Sequence, residues 1–262
     1  MLKMRMVHLA AAILAMALPA LSAGAAQHLA IVKVGVTGRP DQAQLEIARA
    51  RGYFAKEGIE LQEVPGGAAG QDYLSSLATD QIQVAAGSPN AGMFNAANRG
   101  IPVRMVADWA HLGDKNDSTF SFVAREDLLK SGEIKTAADL KGRAIGVGPH
   151  YGAYNEVFIY KMLKSAGLAM DAITPEFLGF PDGLSALAGK RIAGTLMIEP
   201  LVLIAHERKL GEVLLPASAV DPGAQVAVVM YSPGFAAETD LATRYMVAYL
   251  HGVRDMLDAY VK

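Results

Sequence analysis

The chain has 262 residues, 52% of them hydrophobic, and its 24 lysines and arginines against 26 aspartates and glutamates leave a formal charge of −2. That near-neutral balance argues against nucleic acid or an anionic membrane surface as a partner. It has no cysteine, which excludes a disulfide framework, a zinc–thiolate cluster, a cysteine nucleophile and a lipid anchor on an N-terminal cysteine.

The first element is an address. Lys3 and Arg5 precede an apolar run over residues 7–18, Pro19 breaks it, and Ala23-Gly24-Ala25 is a small-x-small site. The run is too short to span a bilayer, so residues 1–26 read as a signal peptide cleaved near Ala25 or Ala26. Export to the periplasm as a protein without a lipid anchor is the expectation.

Beyond it, short β-branched runs alternate with helical patterns, as in an α/β fold. Strands are expected at 31–36, 59–64, 83–86 and 103–107, and again at 144–147, 176–178 and 193–197. Between them fall helices at 41–51, with Leu45 and Ala48 inward, then one ending at Thr79, and one at 90–98. Further on, 153–165 carries Tyr154, Val157, Phe158 and Met162 on one face. Helices at 182–188 and 200–209 follow, the latter with Pro200 at its first position, where a missing N–H costs nothing. Two extended runs, 120–124 and 225–231, read as hinge strands crossing between lobes. The last helix opens at Thr239, a good N-cap residue. It is expected to bury the stripe Met246, Leu250, Val253, Leu257 and Tyr260, and it reaches Lys262 without a stop signal, as a chain shorter than its relatives would.

An internal echo organises these elements. Val34-Gly35-Val36 returns as Ile145-Gly146-Val147, Gly58-Ile59 as Gly167-Leu168, residues 77–82 as 187–192, and Ser88-Pro89-Asn90 as Glu199-Pro200-Leu201, each about 110 residues on. That period is too long for a solenoid unit. It predicts two similar lobes, each a mainly parallel sheet flanked by helices, joined by two hinge strands. Lobe one comprises 27–122 and 224–262, and lobe two, 123–223, is inserted. Two such lobes imply a ligand held in the cleft between them.

Parallel sheets bind ligands beyond the carboxyl ends of their strands, where helix N-termini present free N–H groups. That rule selects Thr37, Gly38, Gly67, Ser88, Asn90, Trp109, His150, Tyr151, Gly152 and Glu199 as ligand-binding candidates. Ser88 and Asn90 are expected to hold a polar group from lobe one, and His150, Tyr151 and Gly152 to line a helix N-terminus that receives a carboxylate, sulfonate or polar ring. Trp109, the sole tryptophan, either stacks on a planar ligand or covers the core edge. Tyr154, on the apolar stripe, reads as packing. A leucine at Gly152 is expected to abolish binding at little cost in stability.

Catalytic and cofactor patterns are lacking. Residues 146–152 miss a dinucleotide fingerprint because the third glycine comes late and Pro149 occupies the turn. Ser185 lacks the second glycine of a nucleophile elbow. His206-Glu207 has no second histidine at zinc-binding spacing. The expectation is no catalytic residue, no cofactor and no metal.

Three segments carry a family resemblance. Arg51-Gly52-Tyr53-Phe54-Ala55-Lys56-Glu57-Gly58-Ile59, Asp139-Leu140-Lys141-Gly142-Arg143-Ala144-Ile145-Gly146-Val147 and Ile198-Glu199-Pro200 occur in that order. Together they resemble periplasmic solute-binding proteins of ABC importers, of the nitrate, sulfonate and taurine group and the thiamine-pyrimidine-precursor type. The resemblance implies a type II periplasmic binding protein fold and a monomer. It implies capture of a small organic anion or an aromatic or heterocyclic solute for an inner-membrane ABC permease, without catalysis. Lys190-Arg191-Ile192-Ala193-Gly194 departs from the family's acidic pattern before the Glu-Pro pair, and His150-Tyr151 stands where relatives often carry a hydroxyl, which favours a ring over bare nitrate. An enzyme on the same fold, of the pyrimidine synthase or dehydratase type, and a ligand-presenting protein for a membrane sensor are the other readings.

Overall fold

A computed structural model describes residues 29–36, 42–66, 73–101, 103–113 and 117–260. The leader with its cleavage site, and the candidates Thr37, Gly38 and Gly67, lie outside the described residues.

Among the described residues ten strands form two five-stranded sheets. They are β1 (Ala30–Val36), β2 (Ile59–Pro65), β3 (Val84–Gly87), β4 (Arg104–His111), β5 (Phe120–Arg125), β6 (Ala144–Gly146), β7 (Thr174–Glu176), β8 (Gly194–Ile198), β9 (Gly211–Pro216) and β10 (Gln225–Tyr231). The first sheet runs β2-β1-β3-β10-β4 and the second β7-β6-β8-β5-β9. In the first, β1 pairs parallel with β2 and β3, while β10 runs antiparallel between β3 and β4. In the second, β6 pairs parallel with β7 and β8, while β5 runs antiparallel between β8 and β9. Each sheet therefore has four strands in one direction and one reversed strand in the fourth place.

The echo in the sequence is this shared strand order. β1 corresponds to β6, β2 to β7, β3 to β8, β4 to β9 and β10 to β5. Register agrees as well, with Val34 opposite Val84 and Ile145 opposite Gly194. The residues explain the elements: Val32 and Val34 of β1 point into the core while Lys33 between them is exposed, the period of a strand with two unlike faces. β8, Gly-Thr-Leu-Met-Ile, is buried at every position because helices cover both faces of its sheet.

The crossings differ in place from the expected hinge strands. β5 and β10 each lie wholly within one sheet, next to its centre, and Phe122 and Val228 are buried there. A boundary at residue 122 would cut β5, so the second sheet begins at Phe120. The chain crosses just ahead of these strands, in two segments that run side by side. The Leu112 amide donates to the Ala224 carbonyl at 2.9 Å and the Gly223 amide to the Gly113 carbonyl at 3.3 Å. The Ser218 hydroxyl donates to the Asp117 carbonyl at 2.6 Å. The Asp117 carboxylate accepts from the Gly113 amide at 2.7 Å and the Thr119 amide at 2.8 Å. Burial pushes that carboxyl up, but the hydrogen bonds from Thr119 and Gly113 outweigh it and hold it below its ordinary value.

Two expectations about elements are corrected. The strand expected at 176–178 is β7 at Thr174–Glu176, in register with Ala144–Gly146 of β6, and single bonds from the Val147 amide to the Glu176 carbonyl and from the Leu178 amide to the Gly148 carbonyl carry the pairing a little further. The terminal helix Thr239–Tyr260 buries Ala242, Tyr245, Ala248, Tyr249 and Gly252 and packs Met246 and Val253 of the expected stripe against the same core, whereas Leu250 and Leu257 are exposed. It crosses the helix Ala43–Ala50 so closely that a Cβ on Gly252 would lie 2.2 Å from the Gln44 carbonyl oxygen. Backbone proximity, not apolar content, selected the buried face.

Candidate functional site

The carboxyl end of β3 opens into Ser88-Pro89-Asn90 and the helix Ala91–Asn98. Asn90 has an extended backbone, and its Oδ1 accepts from the Met93 amide at 3.2 Å, which makes it that helix's N-cap. Its Nδ2 donates to the Ser88 carbonyl at 3.4 Å. Asn90 is thus spent on its own turn, and the expectation that it holds a ligand group finds no support in this geometry. Ser88 faces outward from the sheet. Its Oγ accepts from the Tyr154 amide at 3.1 Å, across from the second sheet's side of the molecule.

The opposing turn follows β6 and leads into the helix Tyr154–Ser165. The Ala91 amide donates to the Tyr151 carbonyl at 3.4 Å, a second direct bond between the two sides. Gly152 has φ +73, a left-handed conformation that favours glycine, and a Cβ there would stand 3.1 Å from the Ala91 nitrogen. Its amide donates to the Glu156 carboxylate at 2.5 Å. The two turns meet directly, with no ligand-sized gap between Gly152 and Ala91. The Tyr151 ring is 70% exposed, and His150 is half-buried.

Beside this contact lies a pocket of about 350 Å³. That is the small end of the roughly 300–1,000 Å³ typical of small-molecule sites. Pro89, Phe94 and Val157 supply apolar wall, and Ser88 and Gly152 mark the edge where the turns touch. Val157 sits on this wall, half in solvent, and not with Phe158 and Met162 in the core. The polar lining is Tyr154, Lys161, Asp221 and Gln225. Lys161 Nζ lies 2.7 Å from Asp221 Oδ2. Gln225 Nε2 donates to Asp108 Oδ1 at 2.6 Å, and Asp108 Oδ2 in turn meets His111 Nδ1 at 2.5 Å.

Tyr154 is the feature that sequence reasoning underrated. Its ring packs edge-on to Phe120, centroids 6.5 Å apart, and tilted beside Phe158, as the apolar stripe predicts. The residue is 6% exposed, yet its hydroxyl has no hydrogen-bond partner among the described residues. Burial, helped by the negative charge of Asp221, drives its ionisation well above the ordinary phenol value, so it stays a neutral O–H. Lys161 lies on the same helical face, seven residues on, which the i, i+3, i+7 pattern could have revealed. Asp221 and Gln225 come from a crossing segment distant in sequence, and no local signal points to them.

Two other candidates are elsewhere. Trp109 stacks on Tyr249 of the terminal helix, centroids 5.7 Å apart and nearly parallel, so it covers the core edge of the first sheet. That stack takes one face of its indole. Glu199 is exposed at the end of β8, where its carboxylate accepts from the Leu203 amide at 3.2 Å and caps the helix Leu201–Glu207. Pro200 precedes that helix at its cap position and does not open it as the first helical residue.

A family model described as NMT1/THI5 like matches residues 39–259. No curated protein matches the sequence. Among solved structures, the alkanesulfonate-binding protein SsuA from Xanthomonas axonopodis pv. citri, bound to MOPS, superposes with a TM-score of 0.68 at 17% identity, over 85% of this chain and 73% of that one. The periplasmic nitrate-binding protein NrtA from Synechocystis PCC 6803 gives 0.70 at 13% identity, over 86% of this chain and 61% of that one. A Candida albicans gene product described as having the generic periplasmic binding protein fold gives 0.67 at 15%, over 88% and 72%. At such identities the likeness is one of fold: two α/β lobes of the periplasmic binding protein kind. Among the described residues no helix is long and apolar enough to cross a membrane.

Proposed function

The chain belongs to the NMT1/THI5-like family, and from that premise we propose that it is the substrate-binding protein of an ABC importer. The reading is that it is exported, loses its leader near Ala25, and captures a small solute as a monomer between two lobes. One lobe is built on the first sheet and the other on the second. It then hands the solute to an inner-membrane permease. The observation that carries this reading is the arrangement around the pocket. Two sheets of identical strand order are tied by a pair of adjacent crossings, and their ligand-side turns meet over a small cavity. Such a design converts occupancy of the cleft into a change of lobe orientation about the crossings, which is the signal a permease needs. Binding without turnover is part of the same reading.

The test is a thermal-shift screen of organic acids, sulfonates, nitrate, amines and heterocycles. Saturating a site at 100 times Kd adds about 2.7 kcal/mol to stability. A hit should bind stoichiometrically and be recovered unchanged. Chemical conversion of the hit by the purified protein would sink the reading in favour of an enzyme, and so would failure of every solute class to bind. Mass spectrometry of periplasmic extract should find a form beginning at or beside Ala26; an intact Met1 form confined to the cytoplasm would contradict export.

A further inference from the structure

Most buried polar side chains among the described residues are spent on the fold. The hydroxyls of Ser121, Thr195 and Ser218 donate to main-chain carbonyls, and Asn90 and Ser232 cap helices. Asn155 is 8% exposed, yet its side-chain carboxamide has no hydrogen-bond partner among the described residues. Such a group is costly to leave unpaired. Among the described residues the only fully enclosed side-chain polar atom without a partner is the Tyr154 hydroxyl, so the Asn155 carboxamide keeps a path to solvent. It lies at the ligand-side end of lobe two. Asn155 is the second residue of the helix Tyr154–Ser165, and a Cβ on Gly148, just past β6, would stand 2.5 Å from its Cβ and 3.4 Å from its Nδ2. Glycine at 148, with φ +94, is what leaves room for the carboxamide there. Tyr151 and Tyr154, its neighbours in the chain, are the residues bonded to the first lobe's turn.

The charge nearby points to the kind of group it takes. A helix N-terminus ordinarily favours an anion. This one carries its own: the Glu156 carboxylate accepts from the Gly152 amide at 2.5 Å, and the Ser88 hydroxyl accepts from the Tyr154 amide at 3.1 Å. An incoming acid finds those donors taken and meets a fixed negative charge. The Asn155 carboxamide is uncharged and offers one acceptor and two donors in a plane, which match a second carboxamide edge to edge. Resting on the importer reading above, we infer that Asn155 is a binding residue that pairs with an uncharged amide group of the solute, and that Glu156, acting through Gly152, sets specificity against the corresponding acid.

Matched pairs test this by calorimetry on the full mature chain: butyramide against butyrate, nicotinamide against nicotinate, and phenylacetamide against phenylacetate. At least one amide is expected to bind about tenfold or more tightly than its acid. Asn155→Asp keeps the shape but, ionised, cannot donate, and should erase that preference. Glu156→Gln should narrow it by raising affinity for the acid. Asn155→Leu should weaken the amide about threefold to tenfold while leaving the melting temperature unchanged or higher, because it deletes an unpaired buried carboxamide. A merely structural asparagine would give the opposite pattern, with lower stability and unchanged affinity. If no amide exceeds its acid, or if both Asn155 variants bind the amide as the parent does, the assignment is overturned. Should some other solute of the wider screen still bind, the importer reading survives that result; should none bind, both fall.

Discussion

Gly152 shows how a single residue ties local conformation to contact between lobes. Its positive φ and the 3.1 Å approach of a would-be Cβ to the Ala91 nitrogen are separate constraints. Any side chain violates the first wherever the lobes stand, and the second when the turns meet. The expectation of little stability cost for Gly152→Leu is therefore revised. Gly152→Ala should destabilise the chain by about 1–2 kcal/mol through the left-handed backbone alone, and should also hold the turns apart. Thermal melts read the first effect. The second appears in solution scattering as a larger radius of gyration for the variant at saturating ligand; identical dimensions would show that the turns can meet without the glycine. Ser88 is the complementary case. Its Oγ accepts the Tyr154 amide across the interface, so Ser88→Ala should lower ligand affinity about twofold to tenfold, the worth of one hydrogen bond. Affinity equal to the parent's would mean the bond is absent from the bound state.

At the scale of elements, the terminal helix and the crossings hold the parts in place. The helix Thr239–Tyr260 closes the first lobe's core with Tyr245 and Tyr249, and Gly252 lets it approach Ala48 and the Gln44 carbonyl. Gly252→Ala should cost about 1–3 kcal/mol by overpacking against backbone that cannot move aside cheaply. Urea unfolding measures it, and a neutral result would mean that the two helices are free to separate. The crossings depend on Asp117. Its carboxyl sits below the ordinary 3.8, so its contribution to stability is present above that value and is lost as pH falls through the lower folded value. The parent should therefore lose stability on acidification below about pH 4, by about 1 kcal/mol for a partly exposed group. Asp117→Asn should be less stable at neutral pH and flatter across that acid window. Parallel acid profiles for the two proteins would remove Asp117 from the account.

At the scale of the whole molecule, the two lobes are one strand order used twice, and the chain passes between them through adjacent segments. Much of this was legible. Strand–helix alternation, glycines at strand ends and the repeat of about 110 residues all arise from interactions within a lobe, where neighbours in sequence are neighbours in space. The turn pair 88–90 and 148–152 was legible for the same reason, since ligand-side turns follow strand ends in any parallel sheet. What escaped was whatever depended on contact between distant parts. Trp109 has a free aromatic face in the sequence, and only the docking of Tyr249 takes it away. The terminal helix buries only part of its apolar stripe, Met246 and Val253 but not Leu250 or Leu257, and the approach to Ala48 turns Ala248 and Gly252 inward instead.

The pocket marks the same boundary most sharply. Tyr154 is a core residue by helical pattern, and its ring behaves as one. That its hydroxyl has no partner among the described residues depends on every chain segment that passes near it, which no local pattern encodes. Asp221 meets Lys161 across sixty residues and Gln225 meets Asp108 across 117. The sequence by itself determined the fold class, the repeat and the turns that follow the strand ends, because hydrophobic period and backbone preference are short-range. The charge pairing in the pocket, the burial of Tyr154 and the course of the crossings were decided by tertiary structure, because burial and electrostatic pairing depend on which distant segments are brought together.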